Sequence, residues 1–434
     1  MFKKQLKRMW RNRLVKSVLV VISGTAGAQA ISMVFIPFIT RIYGPEVYGI
    51  LGAFIALTGV LTTLAALAYP VAIVLPKSDR TATALVKLSL LISATISLAV
   101  LGVLWLAGEW LMPKLGASNL IEFMFFIPLV MFLTACQDVA QQWLIRKKDF
   151  KNIANISIAC SFINNGSKAL VGMFSPLAGI LIGAHALAIG IRMAFTGYIG
   201  KKIASIPNGE DQDNISLKRV ACEYRDFPLY RAPQVVLNAA SQSLPVLMLA
   251  AFFGPAHAGY YALTRTALGL PATLLGSSVQ SVFYPHLNEA VLAKNKTLPL
   301  LIKSTVALAS IGLWPFLIVI MFGPFLFEFV FGQEWQQAGQ YAQWMSIWLF
   351  FFLISRPVIS SIPVFRMQRW FLAYEVFSSF LRVVSIYYGF IYSTDALVSI
   401  AVYSVVSSLI YIYLAIKFFF VAREFDREQV SNYA

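Results

Sequence analysis

Runs of about twenty apolar residues recur along the whole of this chain, the length a helix needs to cross roughly 30 Å of hydrocarbon. Within lipid every backbone amide must be satisfied by its own segment, so a chain built from such runs folds as a bundle of helices. Twelve runs can be read. Six lie at about 17–40, 48–70, 83–107, 119–143, 152–173 and 177–199, and six more at about 233–253, 258–283, 299–323, 339–362, 370–391 and 395–419. A polar stretch from Lys201 to Arg231 separates the two sets. Charged residues make up 12% of the chain, against about 25% in a soluble domain. That shortage excludes a soluble multidomain enzyme, and the apolar content of 59% excludes disorder. The predicted fold class is an all-α membrane protein with about 12 transmembrane helices.

Basic residues orient such a bundle, because cytoplasmic loops collect Lys and Arg. With the amino terminus inside, 28 of the 35 basic residues fall at cytoplasmic ends, and only Arg41 and Lys114 fall on the other side. Both termini are therefore expected in the cytoplasm. The net charge of +16 reads as topology and headgroup attraction, not as a nucleic-acid surface. Met1–Lys16 is basic, and Ala26-Gly27-Ala28-Gln29-Ala30 has the look of a signal-peptide cleavage site. The apolar run continues through Ile31–Ile39, so an uncleaved first helix is expected. The expected organisation is a basic cytoplasmic amino terminus (1–16), a six-helix bundle (17–199), a cytoplasmic linker (200–232), a second six-helix bundle (233–419) and a cytoplasmic tail (420–434).

The two sets of spans share landmarks. Thr25, Gln29 and Ser32 lie on one face of span one, and Gln234, Asn238 and Ser241 repeat their spacing 209 residues later. Pro37 is echoed by Pro245, the turn Gly44-Pro45 by Gly254-Pro255, and Tyr69-Pro70 by Tyr284-Pro285, all at offsets of 208 to 215. Six spans per copy make the repeats parallel, with a pseudo-axis along the membrane normal. Two parallel bundles facing each other are expected to enclose a central cavity. The polar faces of spans one and seven belong there, because an unsatisfied amide in lipid is costly. Hydrogen-bonded glue between helices is the other use of such residues.

Five basic side chains remain inside spans: Lys168, Arg192, Arg265, Arg356 and Arg382. Intramembrane charges are expensive and mark functional positions. Arg382 lies about twelve residues into span eleven with Glu375, Ser378 and Ser379 on its face, and is the strongest candidate. Arg265 lies in the outer half of span eight. Lys168 ends a polar stripe on span five formed by Ser157, Ser161 and Asn164. Arg192 and Arg356 stand near the inner surface, where snorkelling explains them equally well. Asp138 and Glu375 are candidate proton or sodium sites, or local partners of the bases. The surplus of fixed positive charge points to an anionic cargo head, since arginine forks and ammonium groups match phosphate oxygens. A cation exporter would show the reverse sign. The candidate substrate-binding residues are Arg382, Arg265, Lys168, Gln29, Thr25, Gln234, Asn238 and Arg356.

No motif for chemistry is present. His185, His257 and His286 are isolated, Cys136, Cys160 and Cys222 form no metal or disulfide pattern, and there is no Walker sequence. No metal or cofactor is expected. The external loops are too short to house a membrane glycosyltransferase or polymerase, so transport without chemistry is the surviving class.

The stretch Phe38-Ile-Thr-Arg-Ile-Tyr-Gly-Pro-Glu-Val-Tyr-Gly-Ile50, followed by Tyr69-Pro-Val-Ala-Ile-Val-Leu-Pro-Lys77, resembles the opening of the oligosaccharide flippase (polysaccharide transport) family. That family belongs to the multidrug/oligosaccharidyl-lipid/polysaccharide exporter superfamily. Gly259-Tyr-Tyr-Ala-Leu-Thr-Arg265, Val282-Phe-Tyr-Pro285 and Phe331-Gly-Gln-Glu-Trp-Gln-Gln-Ala-Gly339 extend the resemblance nearly end to end. It implies alternating access around a central cavity. The implied cargo is a polyprenyl-diphosphate-linked oligosaccharide, moved from the inner to the outer leaflet of the bacterial inner membrane for surface polysaccharide assembly. It also implies diphosphate contacts for Arg265 and Arg382, and membrane lipids, a polysaccharide polymerase and chain-length machinery as partners. A multidrug exporter of the same superfamily is the alternative, with an acid expected at the cavity centre. The peptidoglycan lipid carrier of the superfamily is another, usually two spans longer.

Overall fold

A glycine followed by a proline decides where the chain first turns back. The computed structural model describes residues 13–114, 116–203, 216–293 and 295–431. Helix runs from Arg13 to Ala65 (α1) but is broken at Gly44, with φ 64° and ψ 172°. That extended, positive-φ backbone is open almost only to glycine, and Pro45 then opens the second arm at a position where its missing amide is no loss. The device recurs at Gly254, with φ 95° and ψ 170°, immediately before Pro255. Matched landmarks in the two halves of the sequence thus carry matched backbone geometry.

The other long helices are α2 (Asp79–Lys114), α3 (Phe126–Arg146), α4 (Phe150–Phe174) and α5 (Ala178–Ile203), then a short α6 (Leu217–Glu223). There follow α7 (Ala232–Phe253), α8 (Pro255–Leu292), α9 (Leu298–Phe331), α10 (Gln336–Ile354), α11 (Gln368–Tyr392) and α12 (Ala396–Ser431). No strand occurs among the described residues. Bulky apolar side chains stand on the outside, with Phe174 91%, Leu106 78% and Trp105 74% exposed. Hydrocarbon is the solvent that accepts such a surface, and the chain is an all-α, multi-pass membrane protein. Among the described residues, seven helical segments are apolar and long enough to cross a membrane by length and composition alone. The long helices that fall short are α3, α4, α8 and α11. These carry Asp138, Lys168, Arg265, and Glu375 with Arg382, so candidate functional residues help to weaken the apolar signal of their own helices.

The chain divides into two compact units, Met1–Ala251 and Phe252–Ala434. In the first, α1 and α4 run side by side in one direction. Gly24 packs on Ala154, Ala28 and Ser32 meet Ser161, and Tyr43 reaches Lys168 and Gly172. α7 belongs to this unit, where Gly116 closes on Ala251 and Gly59 on Ser243. Residues 1–12 of the expected basic terminus and 204–215 of the expected linker lie outside the described residues. The later part of the linker forms α6, which buries Val220 against Tyr69, Ile73, Leu85 and Trp143. The Tyr69 hydroxyl donates to the Ala221 carbonyl at 3.2 Å. Arg146, ending α3, donates to Asp79 at 2.8 and 3.0 Å and to the Ile73 carbonyl at 3.2 Å, while Lys147 takes the other Asp79 oxygen.

In the second unit α9 and α10 form an antiparallel hairpin, and α12 closes it at the base of α9. Asp426 of α12 accepts from the Thr297 amide at 2.7 Å, from its hydroxyl at 2.8 Å and from the Leu298 amide at 3.0 Å. A side chain distant in sequence thus caps the amino end of α9. Asp426→Ala is expected to cost about 1 kcal/mol, read as a lower Tm of the purified protein in detergent, with Asp426→Asn in between.

Candidate functional site

An arginine placed deep in a helix must face something that tolerates its charge. On α11, Arg382 follows Glu375 by seven residues, which returns both to one face. Ser378 and Ser379 on that face donate to the Glu375 carbonyl at 3.0 and 2.7 Å, satisfying themselves within the helix. The Arg382 guanidinium lies 5.2 Å from the centroid of the Tyr411 ring, within cation–π range. Tyr403, Tyr374 and Glu375 are its other electrostatic neighbours.

Two more guanidinium groups join this cluster. Arg265 of α8 and Arg382 both act electrostatically on Tyr261, whose ring meets that of Tyr403 edge-on at 6.3 Å. Arg356, opening the short helix Arg356–Ser361 after α10, shares Tyr411 with Arg382 and stands 4.0 Å over the Phe352 ring. Its Nε is buried without a partner. It has room because residue 276 is glycine, where a Cβ would come within 2.7 Å of that nitrogen. The rings brace one another, Tyr261 and Trp348 each meeting Tyr403 edge-on and Phe352 meeting Tyr411. Among the described residues, three guanidinium groups and one carboxylate, Glu375, stand inside an aromatic wall. Such a wall can hold an oxyanion by forked hydrogen bonds and present flat faces to ring-shaped groups beside it.

The first unit has a different polar interior. Lys168 is 7% exposed, its carbonyl accepts from the Tyr43 hydroxyl at 2.9 Å, and its ammonium acts electrostatically on His185 of α5. Ser161 donates to the Ala28 carbonyl at 2.6 Å and lies 3.0 Å from the Ser32 hydroxyl, which also accepts from Asn165 at 3.0 Å. These bonds join α1 to α4, the gluing role open to small polar residues. Gln29 Oε1, Asn164 Oδ1 and His185 Nδ1 are buried without partners.

The structure therefore gathers Arg265, Arg356, Arg382 and Glu375 in the second unit and places Lys168, Gln29, Thr25, Asp138, Gln234 and Asn238 in the first. Thr25 is exposed, and so are Gln234 and Asn238 on α7. Gln234 accepts from Arg231 at 2.9 Å and Asn238 from Gln242 at 3.0 Å. Asp138 lies at the surface of α3 within electrostatic reach of Arg192. Sequence reasoning missed the tyrosines. Tyr403 and Tyr411 lie eight residues apart on one face of α12, a spacing that was there to be read.

The polysaccharide biosynthesis protein family matches residues 38–340. No curated protein matches the chain significantly. Among solved structures, one is an inward-facing multidrug resistance MATE family transporter of the MOP superfamily, 14% identical, with TM-score 0.74 over 94% of this chain and 96% of that one. The lipid II flippase MurJ in an inward closed conformation aligns at 14% identity and TM-score 0.71, covering 96% and 92%. A MOP superfamily transporter from Pyrococcus furiosus, described by a binding pocket of reversed polarity, aligns at 13% and 0.56 over 95% of each chain. At these identities the likeness is one of fold.

Proposed function

This chain belongs to the polysaccharide biosynthesis protein family, and from that premise we propose that it is a flippase for a polyprenyl-diphosphate-linked oligosaccharide. The observation that supports this cargo is the cluster of Arg265, Arg356 and Arg382 around Tyr411 and Tyr261. A diphosphate carries the opposite charge and the oxygens that guanidinium forks grip. Sugar rings have faces that lie well on aromatic side chains.

Taking a doubly charged head through bare hydrocarbon is prohibitive, since even one unpaired charge costs several kcal/mol. Fixed cations along a protected path lower that cost, and alternating exposure of the path to the two leaflets moves the head while the prenyl tail stays in lipid. An inside-negative potential drives negative charge outward by about 2.3 kcal/mol per charge per 100 mV, so the direction from inner to outer leaflet needs no opposing work. In this reading the protein sits in the bacterial inner membrane with both termini in the cytoplasm and hands its cargo to surface polysaccharide assembly, polymerase and chain-length machinery included.

The deciding experiment uses purified protein in vesicles. A fluorescent polyprenyl-diphosphate oligosaccharide in the starting leaflet is expected to become accessible on the opposite side far faster than in protein-free vesicles. Amphiphilic cationic drugs are expected to stay behind. Transport of the drug without the lipid-linked sugar would reverse the assignment.

A further inference from the structure

A second feature lies wholly within the first unit. Between α2, α3 and α5 runs a groove of about 440 Å³ whose walls include Val86, Leu90, Val139, Trp143, Met193 and Tyr198. Small residues hollow it out, and a Cβ at Gly197 would meet nothing within 4 Å. The lining covers Thr83 to Leu90, Cys136 to Trp143 and Met193 to Gly200, so the groove is about 10 Å long. That is two thirds of the roughly 15 Å of one leaflet's hydrocarbon. It begins at Thr83, Trp143 and Gly200, the end that the distribution of basic residues assigns to the cytoplasm.

One atom there does not fit an apolar trough. Trp143 is 7% exposed, and its indole N–H has no hydrogen-bond partner. The ring carbon next to that nitrogen lies 3.7 Å from where a Gly200 Cβ would stand, so the donor edge borders the wall that has no side chain. A buried donor left unpaired costs about 1–3 kcal/mol, and among the described residues nothing accepts from this one. Cations stand at the same end. Lys87 is exposed and follows Thr83 by four residues on the lining face of α2, and the Lys147 ammonium lies 5.3 Å from the Trp143 ring.

We propose that the groove holds one acyl chain of an anionic glycerophospholipid of the inner leaflet. An ester or phosphate oxygen of that lipid accepts from the Trp143 N–H, and its phosphate sits beside Lys87, the cation at this end that Asp79 does not pair with, as it pairs with Lys147. The lipid is resident, distinct from the transported cargo, because the donor needs an acceptor whether or not cargo is bound. The proposal does not depend on the flippase reading.

Full-length protein in detergent, supplied with phosphatidylglycerol and read by native mass spectrometry, is expected to retain one such lipid. Trp143→Phe keeps the ring and removes the donor, and is expected to lower retention about fivefold, equivalent to about 1 kcal/mol. Gly197→Leu grows into the open space and is expected to abolish retention, while Lys87→Gln reduces the preference over phosphatidylcholine. Arg382→Ala is expected to leave retention unchanged, which separates this site from the arginine cluster. Equal retention by wild type and Trp143→Phe overturns the proposal. Displacement of the lipid by a polyprenyl phosphate also overturns it, by giving the groove to the cargo's tail. If Gly197→Leu does not fold, Trp143→Phe decides.

Discussion

Arg382→Ala is expected to lower the transport of lipid-linked oligosaccharide about a hundredfold and to remove surface polysaccharide from cells, while the protein still reaches the membrane. The size follows from what the side chain does. Truncating one partner of a desolvated charge contact costs about 2–5 kcal/mol, and each 1.4 kcal/mol is a factor of ten. Arg382 is the member of the cluster in reach of Tyr411, Tyr403, Tyr374 and Glu375 together, so its loss unbalances more of the site than loss of Arg265 or Arg356. Arg382→Lys keeps the charge but not the planar fork or its place over the Tyr411 ring, and is expected to fall between the two. Glu375→Gln should move head-group affinity the other way, because it removes the acid that offsets the guanidinium groups. Normal polysaccharide from the Arg382→Ala strain, with the protein present at wild-type level, would leave the cluster without a role in transport.

The fold was legible where hydrophobic physics alone decides it. Long apolar runs, the Gly-Pro breaks at 44 and 254 and the polar break before α7 are all readable because water, lipid and backbone geometry allow few alternatives. The arginines stood out for the same reason, since each is an expensive exception in an apolar helix. What surrounds them did not. Tyr403 and Tyr411 look like ordinary membrane aromatics until α12 is laid against α8 and α11, and pairings of that kind are tertiary information. Lys168 shows the converse. In the sequence it only ends a polar stripe on span five, yet it is buried, its carbonyl accepts from Tyr43 of α1, and its ammonium acts on His185 of α5. Likewise the Ser157–Ser161–Asn164 stripe read as one polar face. In the structure Ser161 bonds to α1 while Asn164 Oδ1 remains buried without a partner, because neighbouring positions on a helix meet different surroundings.

Gly339→Val is expected to be the most destructive single change to the fold, although residue 339 touches none of the candidate cargo residues. At this point the α9–α10 hairpin is held backbone to backbone. A Cβ at Gly339 would run into the Gly323 carbonyl and lie 2.5 Å from the Pro324 Cα, and a Cβ at Gly323 would lie 2.5 Å from the Gly339 carbonyl oxygen. A side-chain clash can be relieved by a rotamer change, whereas here both helices must move apart. Their separation would strip contacts from Phe316, Phe327 and Trp335, which are buried in this part of the unit. In lipid, close approach of small residues is a main source of attraction between helices, and overpacking such a contact costs about 3 kcal/mol or more. The expected reading is loss of monodisperse protein on size-exclusion chromatography, with Gly339→Ala partly recovering it. Gly102 is the control, because a Cβ there meets nothing within 4 Å. In the middle of α2, Gly102→Ala should raise Tm, by up to about 1 kcal/mol of helix propensity. The same chemical change is thus expected to act with opposite sign at two glycines, decided by whether a neighbouring backbone occupies the space.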